Sequence, residues 1–430
     1  MIDGNNQNNA HTDVEIEEKI TYKALKNEKN YLKLLISSAT SRFGDGVDSI
    51  AFSWLVYTIT GSTLSIALFF AINSIPNLIF GMISGTVSNY FPKNKIMAIC
   101  DTGRFLCVSL ICFLFITNRI ELWSLLTVTF LNSSFESFRA PASTSILPLI
   151  LPKKKLDRGI ALSSSSDKFL ELIGIATSPV IISIFGIGGA LFVDAITFLI
   201  CAIIIFTLKF KEELKDRKSM SFKNNLLDLK EGFKYTLNNK FIFNLCIFGA
   251  IINALIVPLN VFQAPYVTEV LNRGVEALPF ISVPLSIAMI VSALFVPKLK
   301  EKIGAKKLFI FSGVIIGFTY FNMSFLGDVP RWATYLLLSI NTFIMGAGIM
   351  GLNIPVQIAV VKATDQVFLP RVVAILSTLL LCSVPLTSCV VGLLSKVISI
   401  KTLFLIFGAI FCLVFILQFK NKNMKQFDLY

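Results

Sequence analysis

An all-α integral membrane protein, with twelve transmembrane helices in two six-helix pseudo-repeats, is the fold class this sequence predicts. Three observations predict it. Of 430 residues, 54% are hydrophobic and only 15% are charged, against about 25% charged in an ordinary soluble domain. Between Tyr31 and Tyr430 the apolar residues, 39 Phe among them, fall in runs long enough to cross a hydrocarbon core about 30 Å thick. Landmarks in the first half recur in the second at a nearly constant interval.

Residues 1–30 form a polar tail without the apolar core of a signal peptide. Residues 31–208 form the first six-helix bundle, with spans at 33–59, 63–87, 96–117, 122–145, 162–185 and 187–208. The spans at 33–59 and 162–185 are the least apolar, because both carry charges. Residues 209–240 form a polar linker that opens with Lys211-Glu-Glu-Leu-Lys-Asp-Arg-Lys-Ser and continues with an amphipathic stretch. Residues 241–419 form the second bundle, with spans at 241–263, 276–297, 307–326, 331–354, 372–395 and 401–419. Residues 420–430 are a short tail.

Charge distribution sets the orientation. Most of the 39 Lys and Arg fall in segments on the side of the termini. Outside the spans or at their first residue, only Arg119, Arg273, Arg331, Lys396 and Lys401 fall on the other side. Cytoplasmic loops carry the Lys and Arg excess, so both termini are expected in the cytoplasm, in a multi-pass protein of the cell membrane. The net charge of +13 then belongs to the membrane topology and needs no nucleic acid partner.

Composition also removes whole classes of chemistry. The only histidine is His11, in the polar tail. This leaves no histidine for a membrane proton relay, a metal centre or base catalysis. The eight cysteines lie inside apolar runs without a C-x-x-C pair, so neither a metal site nor a disulfide framework is expected. No phosphate-binding G-x-x-x-x-G-K-[ST] loop occurs. No cofactor is expected, and neither an enzyme nor an ATP-driven pump fits.

The halves align as repeats. Gly85-x-x-x-Asn89 with Lys93, after the second span, matches Pro297-x-x-x-Glu301 with Lys302, Gly304 and Lys306, after the eighth. Pro141 matches Pro355, and Arg158 matches Arg371, at almost the same interval. Parallel six-span repeats place a site near the midplane between halves.

With these landmarks in place, the sequence resembles the major facilitator superfamily, in its macrolide-efflux and enterobactin-exporter-like branch. The markers are Ser41-Arg42-Phe43-Gly44-Asp45-Gly46, Trp54-Leu55-Val56-Tyr57, Thr60-Gly61-Ser62, Phe138-Arg139-Ala140-Pro141-Ala142 and Asp194. The resemblance implies the major facilitator fold, a monomer, and a loop between spans 2 and 3 that latches one conformation. Gly85 and Lys93 keep that loop's signature, whereas Asn89 stands where the family has Asp. The second copy, with Glu301, Lys302 and Gly304, keeps the charges better. Gly174-x-x-x-Ser178-Pro179 is similar to the antiporter motif of span 5, with Ser178 in place of Gly. It points to export over uptake.

An ionisable side chain within a span costs roughly 2.5–3.5 kcal/mol on insertion scales and asks for a reason. Here nearly all of them lie in the first half. Arg42, Asp45 and Asp48 share one face of span 1 at spacings of three. Span 3 has Asp101 and Arg104, read as a gate pair near the inner surface. Span 4 has Glu136 and Arg139, span 5 has Asp167, Lys168 and Glu171, and span 6 has Asp194. Acids outnumber bases, and a carboxyl left unpaired in low dielectric holds its proton to higher pH. Asp45, Asp48 and Glu136 are therefore the proton-coupling candidates.

The cavity candidates are Arg42, Arg139, Asp167, Lys168 and Glu171, with Asn253, Asn260, Gln263, Asn341 and Asn353 from the second half. The gating candidates are Gly85, Asn89, Lys93, Asp101, Arg104, Gly174, Ser178, Pro179, Glu301, Lys302 and Gly304. The function expected is proton-coupled antiport of an amphipathic small molecule, a macrolide-like drug or several drugs, by alternating access. Export of a siderophore or metallophore made by the cell is the alternative, ahead of an uptake carrier or a lipid transporter.

Overall fold

The computed structural model describes residues 22–88, 90–210, 212, 233–365, 368–420 and 427. Among them the long elements are all helices. These are α1 (Lys29–Thr60), α2 (Thr63–Val87), α3 (Lys93–Ile116), α4 (Leu122–Ile150), α5 (Lys153–Phe206), α6 (Lys240–Pro265), α7 (Pro279–Ile303), α8 (Ala305–Met323), α9 (Arg331–Ala363), α10 (Leu369–Leu394) and α11 (Ile400–Leu417). α5 supplies two spans. Its continuity is broken at Gly186, whose φ of 70° lies in the left-handed region that a residue without Cβ adopts freely. The expected connection between spans 5 and 6 falls there, and the arms are 153–185 and 187–206. Counting both arms, the described residues make twelve helical segments of membrane-spanning length.

Nine of the described helical stretches are long and apolar enough to cross a membrane, α5 counting once. α1 and α4 match them in length but carry the buried charges and hydroxyls that lower hydropathy. Helix ends follow local chemistry. Asn239 Oδ1 accepts from the N–H groups of Phe241 and Ile242 at 3.1 and 3.2 Å, capping α6. Ser399 Oγ caps α11 by accepting from Thr402 N. Pro92, Pro152 and Pro330 stand just before α3, α5 and α9, where the missing N–H leaves no helical bond unmade.

Large apolar side chains such as Phe206, Phe113 and Leu294 point outward, as a lipid-facing surface requires. Trp123 and Trp332 begin α4 and α9 at the end opposite the termini and are exposed there, where indole rings anchor at a membrane interface. In the first half, α1 packs against both arms of α5, α3 against α5 and α4, and α4 against α2. In the second half, α7 packs on α9, α8 on α9 and α11, and α6 on α10. The core of the second half is aromatic: Phe309, Tyr320, Phe404, Phe411 and Phe415 pack at 5.1–5.9 Å, Phe411 stacked on Phe415 and the other pairs tilted. The halves meet chiefly through α2 with α10 and α5 with α7.

Candidate functional site

Four charged side chains from three helices close into a ring. Arg42 and Asp45, one turn apart on α1, bond at 2.8 Å through Nη1 and Oδ2. Arg42 Nη2 donates to Glu136 Oε1 on α4 at 2.6 Å. Arg104 on α3 donates from Nη1 to Glu136 Oε2 at 2.9 Å, and from Nη2 to Asp45 Oδ1. Each guanidinium thus spans both carboxylates, and each carboxylate spends one oxygen on each arginine. The ring is charge-neutral. Arg104 is further held by Asn132, which accepts from Nε at 3.1 Å, and by the Phe198 ring 3.9 Å from its guanidinium carbon.

Asp48 stands one turn beyond Asp45 and outside the ring. Its Oδ2 accepts one long bond, 3.5 Å from Asn132 Nδ2. Its Oδ1 is buried without a partner among the described residues.

A cavity of about 180 Å³ opens beside these groups. The ring and Asp48 form its charged side, and Asn73, Asn77 and Asn132 add amides. Asn73 and Asn77, one turn apart on α2, accept from Ser133 and Ser137 through Oδ1, the second at 3.0 Å. Their NH₂ groups are the donors on that wall that a solute would meet. Phe52, Phe69 and Phe70 form the aromatic wall, with Phe52 stacked on Phe69 at 6.1 Å and Phe69 edge-on to Phe70 at 5.3 Å. All these residues belong to the first half. The arrangement binds a solute with an apolar body and polar or charged substituents.

The other singled-out residues have these places. Asp101 pairs with Arg139 rather than with Arg104, and both are fully buried away from the cavity. Lys168 and Glu171 form an ion pair at 2.8 Å, with the lysine side chain 68% exposed. Asp167 is half-buried, with Oδ1 unpartnered among the described residues. Gly174 and Ser178 grip α1: Ser178 Oγ donates to Val47 O at 2.8 Å, and a Cβ on Gly46 would stand 2.9 Å from Gly174 Cα, while Pro179 is buried beside them. Asn253 donates to Leu380 O and Ser383 Oγ, both at 2.9 Å. Asn341 donates to Thr319 O, and Gln263 donates to Ser282 Oγ. These amides tie helices of the second half together. Asn260 is exposed and Asn353 half-buried.

Gly85 lies on α2, and Asn89 lies outside the described residues. Lys93 is bound twice by Glu212 of the linker, through its ammonium and its backbone N–H. Glu301 and Lys302 are exposed, and Gly304 (φ 89°) turns the chain from α7 into α8.

Sequence reasoning did not single out Asn73, Asn77, Asn132 or Glu212. The two asparagines one turn apart in an otherwise apolar run were the available signal for α2. Nor did it single out the contact between halves at the end opposite the termini. There Tyr57 on α1 donates to Glu269 Oε1 at 3.0 Å and accepts from Thr268 Oγ1 at 2.8 Å. Nearby, a Cβ on Gly392 of α10 would overlap Ala67 of α2. Among the described residues, no group of His, Cys, Asp and Glu is arranged to hold a metal ion.

Twelve membrane-length helical segments, of which α1–α4 line a small polar cavity, define the architecture of a multi-pass membrane carrier. The sequence profile of the Major Facilitator Superfamily matches residues 34–363, and the chain belongs to that superfamily. That superfamily is one of transporters and not of enzymes. The chain is 25% identical over 228 residues to the uncharacterized MFS-type transporter YkuC of Bacillus subtilis (strain 168), a match covering 51% of this chain and 52% of that one. It thus spans about half the length of that relative. Longer matches, each 20% identical, reach two named transporters. The multidrug efflux pump Tap of Mycolicibacterium fortuitum matches over 93% of this chain and 97% of its own. The staphyloferrin A transporter of Staphylococcus aureus (strain NCTC 8325 / PS 47) matches over 68% and 73%. The crystal structure of the nucleoside transporter NupG superposes with a TM-score of 0.70 at 19% identity, covering 91% of this chain and all of that one. That likeness concerns the fold.

Proposed function

We propose that this transporter is a secondary exporter in which inward proton flow drives outward movement of an amphipathic small molecule, such as a macrolide-like drug. It works as a monomer in the cell membrane, with both termini cytoplasmic, by rocking 31–208 against 241–419. The observation that carries the reading is Asp48: a carboxyl at the cavity with no ion pair among the described residues, beside a ring in which Asp45 and Glu136 are each held by two arginines. A group that loads and unloads a proton needs freedom from fixed cations, which favours Asp48 among the three coupling candidates. Protonation of Asp48 and binding of a cationic or polar solute would compete for the same cavity. The aromatic wall suits the apolar body of such a solute. The match to Tap along nearly the whole chain and the Gly174-x-x-x-Ser178-Pro179 grip on α1 support export.

Export of a carboxylate-bearing metallophore is the second reading. Arg42, with 27% of its side chain exposed, is the cation such a chelate would reach. The similarity to the staphyloferrin A transporter points the same way.

The test is uptake into everted membrane vesicles under an imposed pH gradient, with macrolides, cationic dyes and metal chelates offered in parallel. Gradient-dependent accumulation of drugs or dyes supports the first reading, and of chelates the second. Transport that ignores the gradient, or that survives intact in Asp48→Asn, overturns the coupling assignment.

A further inference from the structure

Asp194, on the second arm of α5, takes no part in the charge ring and does not line the cavity, yet it lies among charged groups. It is 1% exposed, and neither carboxyl oxygen has a hydrogen-bond partner among the described residues. A buried carboxylate without donors is costly to keep charged, so the group asks for an explanation beyond packing.

Its position supplies one. Asp194 lies against α1 at Gly44, where a Cβ would stand 2.7 Å from Asp194 Oδ1 and even closer to Thr197 Oγ1. Gly44 and Asp48 are four residues apart, and therefore stacked on one face of α1. The absence of a side chain at 44 is what lets Asp194 reach that face. Asp194 Oδ1 thus lies one helical turn from Asp48 on that face. The other charged groups facing them are Asp45 on α1 and Arg104 on α3, with Arg42 and Glu136 closing the ring behind these. Every Arg104 nitrogen already donates elsewhere, Nε to Asn132, Nη1 to Glu136 and Nη2 to Asp45, and among the described residues none donates to Asp48 or Asp194. Two neighbouring carboxyls therefore remain without an ion pair among the described residues. Like charges so placed do not both ionise, and their titration belongs to the pair.

We infer that Asp48 and Asp194 form one binding site for a single proton across the α1–α5 seam, with Asp48 its entrance from the cavity and Asp194 its sealed end. The inference rests on the reading of Asp48 as the coupling carboxyl and extends it to a second residue. In transport, the proton taken up by Asp48 is shared with Asp194. Substrate at the charged face of the cavity then meets a site whose charge has changed by one without any rearrangement of the ring.

The test reads the proton directly. Purified full-length protein is titrated with infrared detection of the protonated carboxyl stretch, without substrate, for the wild type and for Asp48→Asn, Asp194→Asn and the double variant. Size-exclusion elution and helical circular dichroism verify the fold. The expected result is one titrating carboxyl in the wild type, altered in frequency and midpoint in each single variant and absent in the double. Vesicle transport by Asp194→Asn should shift its pH profile by about one unit toward lower pH, since a neighbouring negative charge has gone. A wild-type signal that responds to Asp48→Asn alone overturns the pair while leaving Asp48 as the coupling group. A wild-type carboxyl pair in a protein whose transport ignores the pH gradient overturns the antiport reading and leaves the pair standing. Displacement of the proton by Na⁺ at fixed pH overturns the assignment in favour of a sodium site.

Discussion

Arg104 and Glu136 meet at 2.9 Å between α3 and α4, and Arg104 is the most deeply buried member of the ring they share, at 3% side-chain exposure. Through its second nitrogen the same guanidinium holds Asp45, so one side chain ties three helices at the wall of the cavity. Glu136→Gln leaves Arg42 and Arg104 sharing one carboxylate. Breaking a buried pair from one side costs about 3–5 kcal/mol, so thermal unfolding in detergent should show a large fall in stability, with transport lost. Arg42→Gln combined with Glu136→Gln restores neutrality and should recover much of that stability. A double variant as unstable as the sum of its singles would show that the ring does not act as a unit.

The seam between α1 and the first arm of α5 depends on missing side chains. A Cβ on Gly46 would stand 2.8 Å from Ile175 N, and one on Gly174 would press into Phe43 O. Gly46→Ala should therefore destabilise by about 1–3 kcal/mol, the range for overpacking. Ser178→Ala, which loses only the bond to Val47 O, should cost about 1 kcal/mol. The ranking of the two unfolding midpoints is the measurement. Equal midpoints would mean that the helices separate enough to accept a methyl group.

Much of this architecture was legible because it is carried by local pattern. Run length marked the spans, and the boundary near residue 186 fell on the glycine whose positive φ breaks α5. The spacing of Arg42 and Asp45 placed them on one helix face, where they pair. What pattern could not carry is rotation between helices. Asp101 and Arg104 are also three apart and read as a pair, yet packing turns Asp101 toward Arg139 and Arg104 toward Asp45 and Glu136. The amides show the same divide. Asn73 and Asn253 look alike in their apolar runs. One lines the cavity and the other ties α6 to α10, because only neighbouring helices decide which face is wet.

Tyr57 links the halves at the end opposite the termini. Tyr57→Phe removes its bonds to Glu269 and Thr268 while keeping the ring. A hydrogen bond contributes about 1 kcal/mol, and one to a carboxylate no less, enough to shift a conformational equilibrium about five-fold per bond. A cysteine placed at Ser49, which lines the cavity, in a background free of the eight native cysteines, reports the shift. An impermeant maleimide applied from the face opposite the termini should label it several-fold faster in Tyr57→Phe. An unchanged rate would mean that α2 and α10, packed at Ala67 and Gly392, close that end without help.

Lys93 and Glu212 form a further buried ion pair, with side chains 10% and 8% exposed. Because Glu212 also accepts from the Lys93 backbone N–H at 3.1 Å, it pins the start of the linker to the start of α3. Nearby, Asn94 donates to Leu208 O at 3.2 Å and strengthens the tie. Glu212→Gln leaves the Lys93 ammonium buried without its counter-charge, and the least costly relief is for the linker to detach. Lys215, Arg217 and Lys218 follow directly in the sequence, so trypsin reads the detachment. Cleavage there should accelerate by an order of magnitude or so if about 1.4 kcal/mol of anchoring is lost, since proteolysis follows the population of the open form when opening is fast. Lys93→Met combined with Glu212→Leu removes both charges and keeps an apolar contact. It should return the cleavage rate toward that of the wild type, whereas a rate that stays high would assign the anchoring to the backbone bond instead of the ion pair.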